Sequence, residues 1–181
     1  FILALLGMTA YVLHLESQLV RSMAVRDARL YSRSLEEFRT VYTAEVVERV
    51  RGHGGRVSHD YQAHAGAIPL PVTLSMLLGQ RILPPEAGSV RLYSRHPFPW
   101  RLKDGGPRDD FENDALLALE ANPTDPFLRF ETLAGELMLR YATADRVRES
   151  CVNCHNNHPS SPKRDWKVGD VRGVLSVSRS I

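Results

Sequence analysis

Phe127–Thr143 reads FLRFETLAGELMLRYAT, and its reading decides the fold class. Two extended runs, Phe127–Thr132 and Glu136–Thr143, meet at Leu133-Ala134-Gly135, where glycine supplies the turn of a hairpin. Downstream, Val171–Val177 alternates as a half-buried strand, with Val171, Gly173, Leu175 and Val177 on one face and Arg172, Val174 and Ser176 on the other. Upstream, Val90–Ser94 is a fourth strand candidate. Pro107–Ala121 reads as an amphipathic helix with Phe111, Ala115, Leu116 and Leu119 on one side, ended by Asn122-Pro123. Val72–Ile82 is a short apolar helix entered through Pro69 and Pro71 and closed by Pro84-Pro85. Gly52–Pro71 between these elements reads as loop. Strands and helices segregated in this order predict an α+β domain whose antiparallel sheet has helices over one face and a pocket between the layers.

The N-terminal third is different in kind. Phe1–Leu13, FILALLGMTAYVL, carries no charge and does not begin with Met. At 1.5 Å per residue it reaches roughly 20 Å, short of the ~30 Å hydrocarbon core, so it is expected to be the end of a transmembrane anchor begun upstream. A signal-peptide core needs a small-residue cleavage site, which His14-Leu15-Glu16-Ser17 does not offer, and a buried helix is the other alternative. From residue 14 to Arg51 a long helix is expected, with Leu15, Leu19, Met23, Leu30, Phe38, Tyr42, Val46 and Val50 as its apolar stripe. Gly52-His53-Gly54-Gly55 stops it. The division expected is therefore anchor over 1–13, long amphipathic helix over 14–51 and a folded domain over 52–181.

Composition excludes several classes. The chain has 181 residues, 43% hydrophobic and 24% charged, which is ordinary for a globular protein and foreign to disordered or multi-span membrane chains. Twenty-three basic against 21 acidic side chains leave +2. The arginines are interspersed with Asp and Glu, read as a solvated surface, and no nucleic-acid partner is expected.

Both cysteines of the chain lie in Cys151-Val152-Asn153-Cys154-His155. C-x-x-C-H is the pattern for covalent attachment of a c-type haem. Positions i, i+3 and i+4 share one face of a helix, so Cys151 and Cys154 reach the two porphyrin vinyl groups while His155 approaches the iron through Nε2. A thioredoxin-like C-x-x-C needs a βαβ setting, which the preceding Ala144–Ser150 does not provide. Zinc held by Cys151, Cys154, His155 and His158 would crowd four ligands onto one short segment. Pro159 ends the helix near Asn157 and leaves His158 on the proximal side, against a propionate or as a cap. For the other axial position His59 is the preferred candidate, because Asp60 and Tyr61 can orient it and Ile68–Leu78 can wall the pocket. His53, His64, His96, Met76 and Met138 are the remaining candidates. Trp100, Arg101, Lys163 and Trp166 are candidate propionate partners. Attachment of haem c outside the cytoplasmic membrane, next to an anchor helix, places the domain in the periplasm on the inner membrane.

CVNCHNNHPSSPKRDWKVGDVRGVLSVS (151–178), together with AIPLPVTLSMLLGQRI (67–82), RLYSRHPFPWR (91–101) and LRYATA (139–144), resembles the bacterial haem c-binding, PAS-like sensor domains found before nucleotide cyclases and histidine kinases. The likeness covers most of Val41–Val177. It implies a PAS-like antiparallel sheet with flanking helices, one covalent haem c on Cys151 and Cys154 with His155 as axial ligand, and sensing of a redox change or a diatomic gas. Some members use a cysteine as the other axial ligand; this chain has no third cysteine. The output, a cyclase or kinase, is expected beyond Ile181, and no catalytic constellation accompanies the motif here. A homodimer through the long helix is the expected assembly. Two other classes stay open: a monohaem cytochrome for electron transfer, and a haem enzyme using His59 or His64 at an open distal site.

Overall fold

In chain order the elements are α1 (Ile2–Tyr42), a π-helical turn (Thr43–Val47), α2 (Glu48–Gly52), β1 (Val57–Ser58), β2 (Ile68–Pro69), α3 (Pro71–Ile82), β3 (Gly88–Tyr93), α4 (Asp110–Ala121), β4 (Phe127–Leu133), β5 (Glu136–Arg146), α5 (Glu149–Asn157) and β6 (Val171–Ser180). They come from a computed structural model that describes residues 1–181. The stretch expected to be loop, Gly52–Pro71, contains the short parallel pair β1–β2.

β3, β6, β5 and β4 form, in that order, an antiparallel four-stranded sheet. The hairpin is present, and its turn is tighter than expected. Leu133 pairs with Glu136, leaving two residues, Ala134 at φ 52° and Gly135 at φ 87°. Two successive left-handed residues make the turn whose twist matches that of the flanking strands, so Ala134 carries strain that glycine would not.

Helices cover both faces of the sheet, which corrects the expectation of one. Phe111, Ala115, Leu116 and Leu119 of α4 pack on Tyr93, Ala142 and Val174. On the other face Leu35 of α1 meets Val90, Leu175 and Val177, with Met76 and Leu78 of α3 beside them. The last strand is accordingly central and buried on both sides, with Val174 and Leu175 both inside. Each such side chain contributes roughly 1.5–3 kcal/mol of burial. α4 starts at Asp110, later than the expected Pro107. Asp109 caps it by accepting the Glu112 N–H at 2.9 Å, and Glu112 returns by accepting the Arg108 N–H at 2.8 Å.

The long helix packs by a stripe other than the one its large apolar residues mark. Its buried positions are Ala24, Ala28, Ser32, Leu35 and Arg39, spaced by three and four. Ala24 and Ala28 let the helix lie close on Leu139 and Tyr141. Leu15, Leu19, Met23, Leu30 and Val46, expected to pack, are exposed. The arginines are a second correction. Arg39 and Arg140 are buried; Arg140 holds Asp109 at 2.8 Å and Glu131 at 3.1 Å and lies 4.2 Å from the centre of the Phe111 ring. Within the continuous helix Ile2–Gly52 an 18-residue window has a mean hydropathy of 1.3 and no buried residue, and the helix is long and apolar enough to cross a membrane.

Candidate functional site

β5 ends at Arg146, and the chain turns into α5 before returning as β6 beside β5. That antiparallel return removes the βαβ setting a thioredoxin-like C-x-x-C requires. α5 is the helix predicted over the motif. It ends where Pro159 demands, with His158 at its C-cap in extended backbone and its N–H donating to the Cys154 carbonyl.

Cys151, Cys154 and His155 all line one pocket of about 240 Å³, and both thiols are free. The other walls come from distant parts of the chain. Thr43 and Val47 belong to the π-helical turn, Arg51 to α2, Val57 to β1, Leu70, Pro71 and Val72 to the start of α3, and Phe98 and Trp100 to the loop after β3. A π turn widens a helix by one residue, a distortion that recurs at functional sites. Here it falls on the pocket wall.

Aromatic rings form one side. Phe98 meets the His155 ring at 5.4 Å and stacks on Trp100 at 4.5 Å, which stacks on His59 at 4.1 Å and nearly parallel. His158 touches Phe98 and Trp100 edge-on, at 5.4 and 5.6 Å, and its Nδ1 accepts the Ser160 N–H at 3.1 Å. The contacts from His155 to His59 thus run through Phe98 and Trp100. A planar group gripped between the two imidazoles needs that aromatic pair to move aside.

The polar side was not legible in the sequence. Arg172 Nη1 donates to His155 Nε2 at 2.8 Å, which places the imidazole proton on Nδ1. Burial and the Arg172 charge together hold the His155 pKa down to about 4, so the ring is neutral at physiological pH. Arg172 also donates Nε and Nη2 to Asp145 Oδ2, at 3.1 and 2.5 Å, and Asp145 Oδ1 lies 3.2 Å from Arg39 Nη2 of α1. Burial pushes the Asp145 pKa up, and Arg172 and Arg39 outweigh it, holding the carboxylate well below its ordinary range. Arg148, which precedes α5, pairs with Glu36 of α1 at 2.9 Å. Arg51 Nη2 donates to Cys154 Sγ at 3.4 Å. Two ion pairs, Arg148–Glu36 and Arg39–Asp145, therefore tie the lead into the motif helix and the end of β5 to α1.

Of the candidate distal ligands, His59 and His96 line the pocket, and His53, His64, Met76 and Met138 do not. His64 instead holds Asp60 at 3.0 Å. Arg101 and Trp166 are also in the wall. Arg101 is paired with Asp104 at 2.9 Å, and Lys163, outside the wall, with Asp165 at 2.5 Å. Trp166 is buried, bracketed by the Asn156 side chain at its N–H and carbonyl, both at 3.0 Å. No group of three or more His, Cys, Asp or Glu side chains converges on a point that would hold a metal ion, so the four-ligand zinc arrangement is not assembled. Two thiols and a neutral imidazole facing an aromatic-walled pocket fit covalent haem c in kind.

Comparison with known proteins agrees with this architecture. The family model described as Tll0287-like matches residues 16–180. The crystal structure of the cyanobacterial heme-protein Tll0287 covers 87% of this chain and 95% of its own, with a TM-score of 0.60 and 18% sequence identity. At that identity the likeness is one of fold. No curated protein matches the chain by sequence.

Proposed function

The chain belongs to the Tll0287-like family, and we propose from that premise that it is a c-type haem sensor domain, anchored in the inner membrane by α1 and facing the periplasm. The observation that carries the reading is the convergence of Cys151, Cys154 and His155 from one face of α5 on one aromatic-walled pocket. The family match, and the description of the structural neighbour as a haem protein, support it. Bound haem supplies a redox-active iron that also takes diatomic gases.

The protein's own groups have definite parts in this scheme. Cys151 and Cys154 would hold the haem, each thiol adding S–H across one vinyl group to give a thioether. His155 presents a neutral Nε2, the nitrogen that ligates iron, once Arg172 Nη1 gives up its hydrogen bond; Arg172 keeps Asp145 through Nε and Nη2. Phe98 and Trp100, once moved from between the two imidazoles, would supply an apolar wall for a porphyrin. His59 is the distal candidate and becomes available when Trp100 unstacks from it. A change at the site reaches α1 through Arg172, Asp145 and Arg39 and through Arg148 and Glu36, and α1 leads to the apolar run. An output domain and a homodimer through α1 complete the proposal.

The test is maturation of the full chain with a haem c assembly system. Mass spectrometry reads covalent attachment, and absorption spectra are recorded oxidised and reduced, with and without nitric oxide or carbon monoxide, on the protein and on His59→Ala. Attachment lost in Cys151→Ser and Cys154→Ser, with a gas-responsive spectrum altered by His59→Ala, supports the sensor. Attachment with a low-spin spectrum inert to gas and to His59→Ala makes the domain an electron relay. No attachment refutes the haem assignment.

A further inference from the structure

The polar wall of the pocket holds more positive charge than its carboxylates neutralise. Arg39 is 3% exposed and lines the pocket. Only its Nη2 has a partner, Asp145 at 3.2 Å; Nε and Nη1 have no hydrogen-bond acceptor. Asp145 is held at the same time by Arg172, so one carboxylate serves two guanidiniums. The nearby Glu36 is occupied by Arg148. A guanidinium does not shed its proton at physiological pH, so the surplus cannot be relieved by titration. Buried N–H donors on a cation that shares its one carboxylate require an acceptor; Arg39 lines the pocket, so an acceptor entering there reaches Nε and Nη1 once the side chains that enclose them shift.

We propose that Arg39, with Arg172 beside it, is the anion-binding pole of this pocket and takes one carboxylate or carboxylate-sized oxyanion. Resting on the haem reading above, the first source of that carboxylate is a porphyrin propionate; a free oxyanion is the second source of the same chemistry. Arg101 and Lys163, the two cations expected to meet a propionate, already hold Asp104 and Asp165, and Arg148, just before the motif, holds Glu36. Of the buried arginines Arg39 and Arg140, only Arg39 both lines the pocket and has donors without an acceptor. Because Arg39 belongs to α1, the bound carboxylate contacts the membrane-leading helix directly.

The experiment compares the full chain, Arg39→Gln and Arg39→Lys, each without haem and after haem maturation. Thermal midpoints are followed against acetate and nitrate at constant ionic strength. Without haem, the midpoint of the unsubstituted protein rises saturably, by about 3–6 °C at ten times the acetate Kd, and that of Arg39→Gln stays flat. Arg39→Lys keeps the charge without the fork and responds weakly; it replaces the glutamine variant if circular dichroism shows that variant unfolded.

With haem attached, loss of the acetate response and a shift of the resonance Raman propionate band in Arg39→Gln identify the propionate as occupant. An acetate response that persists, with coincident bands, identifies a free oxyanion. Equal acetate responses in the haem-free protein and Arg39→Gln, together with coincident propionate bands, overturn the proposal. Absence of haem mass on Cys151 and Cys154 refutes the haem reading separately, and the haem-free titration then decides the anion site by itself.

Discussion

Replacing Asp145 by asparagine tests the buried cluster on which the site is built. The Asp145 side chain is 2% exposed, and its partners Arg39 and Arg172 are 4% and 18% exposed, so solvent screens these pairs little. Removing one partner of a buried pair costs about 3–5 kcal/mol, because the other charge is left without compensation. Asparagine keeps the shape and one acceptor, so the lower figure applies, about 3 kcal/mol at pH 7. For a chain of this length that is about 6–12 °C in thermal midpoint.

The pH dependence carries the sign. The folded carboxylate has a depressed pKa, so its contribution is complete above the ordinary unfolded value near 4 and is lost as pH falls towards the folded pKa. The gap between wild type and Asp145→Asn is therefore smaller at pH 3 than at pH 7, by about 1 kcal/mol. Urea unfolding of the haem-free protein at the two pH values measures both quantities. A gap below about 1 kcal/mol at pH 7, or one of equal size at pH 3, would refute the view that Asp145 works as a buried carboxylate between two guanidiniums.

Two further substitutions probe the scaffold. Ala134→Gly releases the left-handed strain at φ 52° in the hairpin turn and is expected to raise stability by about 0.5–1 kcal/mol in urea unfolding, strain relief exceeding the added chain entropy. Ala28→Leu forces bulk between α1 and Leu139–Tyr141 and should cost about 1–3 kcal/mol, whereas Leu30→Ala, at a position 65% exposed, should stay within about 0.5 kcal/mol. The reverse order in thermal unfolding would mean that the large apolar stripe is the packed one after all.

Short-range signals were read directly. Alternation over Val171–Val177 marked a strand because a pleated backbone repeats every two residues, and C-x-x-C-H placed its three groups on one face because a helix returns every three to four. Both are properties of neighbours along the chain. The α1 stripe misled for a related reason: periodicity marks the apolar face of a helix without saying which face the sheet will take, and Ala24 and Ala28 pack by being small. The burial of β6 on both faces followed from its insertion between β3 and β5, which its own residues do not encode.

The sequence by itself determined the α+β class, the hairpin, the motif helix with its stop at Pro159, and the chemistry of two thiols and an imidazole. Tertiary structure decided which residues complete the site. Arg39, Asp145 and Arg172 lie far apart in the chain, and isolated charges have no period to reveal them. They become a cluster only when α1 is laid on the sheet and β6 is drawn in beside β5, so that burial removes water and leaves each charge to be satisfied by whichever partner the fold has brought within reach.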